Sequence, residues 1–387
     1  MADMARNVID RYQEQFAAYF GAHSAFAFWK GRVALYAILK ALGVGQGDEV
    51  ILPGYTCVMD VNPIKYLGAK PVYVDIEPET FNIDPNLVAG KITAATRLII
   101  AQHTYGYTCD MDAMMEIAGG RNLPVIEDCC LALGSKYKGK LAGTFGKAAY
   151  FSSQWNKPYT TGLGGMAITN DDKLAEKLQE IADDACAPSF KEKLMLAAQL
   201  CIYRTLIYPA TTALAQNFFR YLTQKGLVVG SSATCEFRPR MAEDFLKLMS
   251  SMQARSGLKQ VQRLDRNIAH RKEMARLYDR LLAEKGWPVR QYDPKVSDPV
   301  MVRYPVRIKE KQQAITDAAK AGIELGTWFE SPLHPAETPL AAYDYVEGIC
   351  PQAEKAAKEV VNLPLHARVS DRVVKKTVDF ITAYTPA

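Results

Sequence analysis

Six short apolar runs alternate with helix-forming segments in the first part of the chain, and few architectures accept that order. The runs cover residues 25–29, 50–53, 71–75, 98–101, 123–126 and 148–151. Short runs that are apolar throughout read as strands buried on both faces. Val8, Tyr12, Phe16 and Tyr19 recur at helical spacing in 3–20, and 33–42 and 111–118 also read as helices. The alternation predicts an α/β protein whose mostly parallel sheet is covered by helices on both sides.

Two of the runs deliver chemistry. One ends in Glu127-Asp128, a carboxylate at the C-terminal end of a parallel strand, where ligands bind in open α/β sheets. The last leads to Ser152, then Lys157, then a turn holding Gly162, Gly164 and Gly165. An acid at a strand end is often a helix cap, and a loop lysine is usually solvated. Together, however, these groups match pyridoxal 5′-phosphate (PLP). That cofactor needs an amine for a Schiff base, an acid against its pyridine nitrogen and small donors for its phosphate. The first run enters its helix through Lys30-Gly31-Arg32. A strand entering a helix through glycine offers backbone N–H groups and a positive dipole end to a phosphate; a plain loop glycine is the alternative.

Bulk properties close off other classes. The 387 residues are 49% hydrophobic and 23% charged, which suits two domains with a large core. The net charge of +5 is small and the basic residues are scattered, so nucleic acid is not an expected partner. Eight cysteines without CxxC spacing and five dispersed histidines predict reduced thiols and no metal site. The N-terminus, MADMARNVIDRYQEQF, lacks an apolar signal core, which points to the cytoplasm.

Longer blocks carry a resemblance. They are GVGQGDEVILPGYTCVMDVNPIKYLGAKPVYVDIEPETFNID, HTYGYTCDMDAMMEIA, LPVIEDCCLALGSKYKGKLAGTFGKAAYFS and, late in the chain, CPQAEKAAKEVVNLPLH. Spread over roughly residues 15–370, these blocks resemble the DegT/DnrJ/EryC1/StrS family, the PLP-dependent aminotransferases of nucleotide-sugar biosynthesis. The resemblance implies fold type I of PLP enzymes: a large domain over 1–245, a linking helix over 246–286 and a smaller α/β domain over 287–387. It also implies a homodimer with shared active sites. By motif, Lys157 matches the lysine that holds the cofactor and Asp128 the acid that pairs with the ring nitrogen. Ser152, Gly31 and Arg32 match the phosphate-binding elements. In the smaller domain 302–306 and 322–328 read as strands, and His334 and Trp328 are the expected substrate contacts.

The chain departs from the family's pattern at several of these places. Lys30-Gly31-Arg32 stands where SGT is usual, exchanging a threonine for two cations. Cys57 stands where an aromatic often stacks on the ring, with Tyr55 the neighbouring candidate to replace it. Leu131 replaces a common glutamine or histidine. Arg238 replaces an asparagine just before Arg240-Met241 and is placed to hold a phosphate across the dimer. Residues 194–222 are strongly apolar, with Arg204 and Arg220 their only charges, within a helical insertion of about 190–230. Their uncharged run, 205–219, is too short to span a bilayer. It reads as helices packed on the body or in the dimer; a membrane-surface contact or a lipid-linked acceptor is the alternative.

The expected activity is transfer of an amino group from an amino acid, with L-glutamate the expected donor, to a nucleotide-linked keto-sugar in glycan, antibiotic or polysaccharide biosynthesis. Asp128 would keep the ring nitrogen protonated, and the amine of Lys157 would move the proton. Rivals are a cyclitol acceptor, a PLP sugar dehydratase, which would carry histidine in place of Lys157, and a non-catalytic PLP-binding regulator.

Overall fold

The computed structural model describes residues 2–155, 157–206 and 234–387, so the 207–222 part of the apolar stretch lies outside the described residues. In chain order the first strands are β1 (Ser24–Phe28), β2 (Glu49–Pro53), β3 (Thr56–Cys57), β4 (Lys70–Val74), β5 (Thr96–Gln102) and β6 (Val125–Asp128). The short β7 (Lys136–Tyr137) and β8 (Lys140–Leu141) follow, then β9 (Ala148–Ser152) and β10 (Gly165–Thr169). A seven-stranded sheet forms in the order β1-β10-β9-β6-β5-β2-β4, and β10 runs against the other six. Around it lie α1 (Ala2–Phe20), α2 (Gly31–Ala41), α3 (Val58–Tyr66), α4 (Pro85–Val88), α5 (Met111–Gly119), α6 (Asp172–Asp183) and α7 (Phe190–Leu206).

Successive strand residues feed different cores. Val50, Leu52, Leu98 and Ile100 join a cluster with residues of α2 and α3, whereas Ile51, Ile99 and Ala101 join one with Met111 and Met114 of α5. Helices on both faces are therefore why the runs are continuous instead of alternating. Each Leu or Ile so buried contributes about 1.5–3 kcal/mol. The helix α2 is buried from Gly31 through Leu39, which matches its nearly unbroken apolar sequence.

The rest of the chain adds α8 (Ser251–Val261), α9 (Leu264–Glu284), β11 (Ser297–Asp298), β12 (Arg303–Arg307) and α10 (Lys311–Ala321). Then come β13 (Leu333–His334), α11 (Pro351–Glu359), β14 (Val360–Pro364) and α12 (Asp371–Ile381). Strand β12 pairs antiparallel with β14, and β11 joins β7 and β8. In contrast, β13 crosses to β3, with Leu333 opposite Thr56 and His334 opposite Cys57.

Two expectations change. The 246–286 link is two helices, not one: it starts after Ser250, which forms a capping box with Gln253, and breaks at Gln262 and Arg263. Residues 322–328 do not form a strand. Gly322 closes α10 in the left-handed conformation, and within 322–328 a bridge forms at Gly326, to Asn362 of β14, before the chain turns towards the sheet edge. On α7, Leu196 and Leu200 pack with Trp29 and Leu163 while Leu194 and Ile202 are exposed. Among the described residues no helix is long and apolar enough to cross a membrane.

Helices α1 and α8 meet closely because of Gly257. A Cβ there would lie 2.4 Å from the buried ring of Tyr12. Helix propensity alone would favour Gly257→Ala by about 1 kcal/mol, but overpacking costs about 1–3 kcal/mol. The substitution is expected to lower the urea midpoint at unchanged slope. A raised midpoint would mean that the Tyr12 ring gives way freely.

Candidate active site

Strands β1, β6 and β9 run the same way, so their C-terminal ends share one edge of the sheet, where α2 begins. Asp128 ends β6. It is buried, its Oδ1 accepts the Cys130 N–H at 2.8 Å, and the Cys130 thiol hydrogen-bonds to the same carboxylate. Ser152 ends β9. A Cβ on Gly31 would lie 3.1 Å from the Ser152 Cβ, and one on Gly165 would lie 2.3 Å from the Lys30 carbonyl oxygen. Glycine at both positions lets the first turn of α2 rest against the ends of β9 and β10. The free N–H groups that open any helix thus come beside a serine hydroxyl.

Lys157 follows in a turn, its N–H donating to Gln154 O at 3.0 Å. Its Nζ lies 5.0 Å from the centre of the Trp328 ring and makes no hydrogen bond or ion pair with a described residue. Trp328 is held there from behind. The Phe329 N–H donates to Tyr55 Oη at 3.2 Å, Tyr55 Oη donates to Tyr105 Oη at 2.8 Å, and Tyr105 Oη donates to the Trp328 carbonyl. Both hydroxyls are thereby satisfied on both sides, and one peptide unit is fixed at each end.

Tyr55 therefore does not replace the missing stacking aromatic. It is fully buried among Phe81, Tyr105 and Phe329. Arg32 also departs from expectation. Its guanidinium grips Glu236 with Nε to Oε1 at 2.7 Å and Nη2 to Oε2 at 2.7 Å, because a buried cation needs a buried anion. Lys30 Nζ lies 3.4 Å from the same carboxylate, and burial with the Arg32 charge pushes its pKa down to about 8. At this turn the backbone N–H groups and Ser152 are therefore better placed than Arg32 to receive an anion. Arg238 is exposed, just beyond Glu236, and Leu131 is buried in the core. His334 lies behind Trp328 against Phe329, and burial pushes its pKa down to about 4, so the imidazole is neutral.

The sequence reading missed Asp60. Its Oδ1 accepts from Tyr150 Oη at 3.0 Å, and Tyr150 pairs with Asp128 in the sheet. Its Oδ2 lies 3.2 Å from Thr56 Oγ1, which also lies 2.5 Å from Gln102 Oε1. Gln102 Nε2 is committed to Tyr55 O and Thr104 Oγ1, so that amide's orientation is set. Thr56 has one proton, the shorter contact takes it, and a protonated Asp60 supplies the other bond. Burial, and then the charge of Asp128, push the Asp60 pKa up to about 7. A lone acid inside the apolar VMDV turn was the available signal.

Glu127 points away from Asp128, as strand alternation demands. It accepts the backbone N–H groups of Gly143, Phe145 and Gly146 at 2.6, 2.7 and 2.7 Å, and His103 Nε2 at 3.1 Å. His103 Nδ1 accepts the Cys109 N–H at 3.0 Å, which places the ring proton on Nε2. His103, Glu127 and Cys129 lie near enough together to suggest a metal. Their nitrogens and oxygens are already bonded, so the group reads as a brace beneath the site.

An amine with no hydrogen-bond or ion-pair partner among the described residues, a buried carboxylate at a strand end, and a glycine-spaced cradle beside a hydroxyl fit PLP. The sequence model of the DegT/DnrJ/EryC1/StrS aminotransferase family matches residues 4–201 and 205–382. The chain is 32% identical over 386 residues to the GDP-perosamine synthase of Caulobacter vibrioides, covering 98% of this chain and 90% of that protein. Identity is 30% over 373 residues to an L-glutamine:2-deoxy-scyllo-inosose aminotransferase of Streptomyces kanamyceticus, covering 94% and 79%. The crystal structure of S. venezuelae DesV in complex with a ketimine intermediate superposes with a TM-score of 0.74 at 26% identity, over 97% of this chain and 88% of that one.

Two outcomes test this geometry. Asp60 has a raised pKa, so the stability it gives is full below the ordinary carboxylate range and is lost as pH rises through about 7. Asp60→Asn should gain on the wild type between about pH 4 and 7, by at most about 4 kcal/mol in urea unfolding of the cofactor-free protein. Parallel pH curves would mean that Asp60 ionises like a surface acid. Glu236→Gln removes the charge opposite Arg32 and Lys30 and should cost about 3–5 kcal/mol by the same assay; a loss under 1 kcal/mol would show that the two cations find other company.

Proposed function

Because the chain belongs to the DegT/DnrJ/EryC1/StrS aminotransferase family, whose enzymes work with PLP, we propose that it moves an amino group from L-glutamate to a nucleotide-linked keto-sugar. The observation that supports it most is the amine of Lys157, which has no described hydrogen-bond partner and faces Trp328 at 5.0 Å. In this reading residues 1–245 bind the cofactor, 246–286 connect, and 287–387 supply the substrate side.

Asp128 would hold the pyridine nitrogen with its carboxylate, and the N-terminal turn of α2 with Gly31 and Ser152 would hold the phosphate. Bound there, PLP supplies an electron sink for the carbon–hydrogen bond that transamination breaks. Lys157 holds the cofactor at rest. Its amine, displaced by the donor, would take the proton from the donor carbon and return it to the cofactor's C4′, on the far side of the intervening nitrogen. Trp328 covers that amine and limits water around it. A proton held on Asp60, beside Asp128, would ease the like-charge repulsion between the two carboxyl groups.

The acceptor proposal leans on the likeness to GDP-perosamine synthase, whose name specifies a GDP-linked amino sugar. The relative named for 2-deoxy-scyllo-inosose supports a cyclitol acceptor and a glutamine donor as the second reading. We place the enzyme in the cytoplasm as a homodimer, with Arg238 reaching the partner subunit's site.

The purified protein is expected to show a visible absorption band from lysine-bound cofactor, which L-glutamate bleaches and a GDP-linked keto-sugar restores. Lys157→Ala should lack the band and fail to exchange the donor's α-hydrogen for solvent deuterium. A band that glutamate leaves untouched would reject this donor. No band after adding PLP would overturn the reading.

A further inference from the structure

Arg303 opens β12, half-buried, and its guanidinium carbon lies 5.1 Å from the centre of the same Trp328 ring that Lys157 faces. It makes no hydrogen bond or ion pair with a described residue. Other buried arginines are satisfied. Arg32 grips Glu236, and Arg271 donates to Met301 O at 3.1 Å, Val302 O at 3.0 Å and Asn267 Oδ1 at 2.8 Å. Glu324, whose carboxyl feels the Arg303 charge, gives its Oε2 to His366 at 2.9 Å. The charge of Arg271 adds to the positive potential, so two guanidinium groups stand near one another without a paired acid.

Gly326 makes room for this arrangement. A Cβ there would lie 2.3 Å from Arg303 Nη1 and 3.1 Å from its Cζ. Gly326 cannot drift aside, because its N–H and carbonyl bond to Asn362 at 2.7 and 2.9 Å. A planar fork left without a protein acceptor matches a carboxylate, which it can bind through two parallel N–H···O bonds. Lys157 Nζ and Arg303 Cζ lie 5.0 and 5.1 Å from the centre of one indole, so a molecule that reacts at the amine lies within reach of the guanidinium. A dicarboxylic amino acid has that length.

We propose that Arg303 binds a carboxylate of the amino donor, with Trp328 as the platform between it and Lys157. The proposal rests on the aminotransferase reading of Lys157. A sugar-linked phosphate has the same oxyanion chemistry, so the test separates the two sources.

In the holoenzyme, Arg303→Gln should raise the L-glutamate concentration that half-saturates single-turnover bleaching by roughly 10- to 100-fold, at a similar limiting rate. Arg303→Lys should recover only part of this, because a point charge does not reproduce the fork. Gly326→Ala should shift it the same way with every charge intact. Calorimetric binding of glutarate, which cannot react, should weaken in parallel, while restoration of the band by the keto-sugar stays unchanged. Unchanged binding of both glutamate and glutarate overturns the proposal. Weakening confined to the keto-sugar step also overturns it and assigns Arg303 to the acceptor's phosphate. The band itself reports on Lys157: if Arg303→Gln abolishes it, glutarate binding to Gly326→Ala decides the question.

Discussion

Glu127 is a fully buried carboxylate, and the active edge of the sheet depends on how it is satisfied. An ion moved into a protein interior loses several kcal/mol of hydration unless donors replace the water. Here three backbone N–H groups and one imidazole converge on it. Those N–H groups belong to the turn that leads from β8 into β9, so the ion fixes the end of β6 relative to the start of β9. Asp128 and Ser152, one on each strand, inherit that spacing. The carboxylate one residue earlier therefore does structural work that lets its neighbour stay chemically open.

A second constraint acts from the far side. The hydroxyls of Tyr55 and Tyr105 form a closed relay around the peptide between Trp328 and Phe329, and β13 pairs with β3 alongside it. Neither tyrosine faces the lysine. Their effect is to convert a loop into a rigid wall, and a rigid wall is what lets one indole meet two cations at nearly equal distance. Rigid support of this kind is how binding energy becomes orientation instead of mere adhesion.

Much of this was legible beforehand, for reasons tied to particular residues. Continuous apolar runs revealed a sheet buried on both faces, because strand burial is written in residue type. Asp128 and Lys157 stood out because each follows such a run. Asp60 and Glu236 did not, because a lone acid in a sequence gives no sign of whether water or a partner surrounds it. Arg32 looked like a phosphate ligand until its bidentate partner appeared 204 residues away. Tyr55 read as a stacking candidate because nothing in the sequence shows that its ring is enclosed by Phe81, Tyr105 and Phe329. The 322–328 segment has strand-like composition, but Gly322 stops α10 in a left-handed turn and the chain bends away after one bridge.

The pairing of β13 with β3 joins His334 to Cys57 across most of the chain. That span has a consequence for the order in which the protein is made. By the time Thr169 has left the ribosome, the acid, the hydroxyl and the lysine are all present and the seven-stranded sheet can close. The aromatic wall is synthesised more than a hundred residues later, and such distant contacts form last because loop closure must precede them. A nascent chain therefore carries a reactive amine in a pocket with an open side for much of its synthesis. The surroundings of that amine are complete only in the finished polypeptide, in the same step that completes the fold.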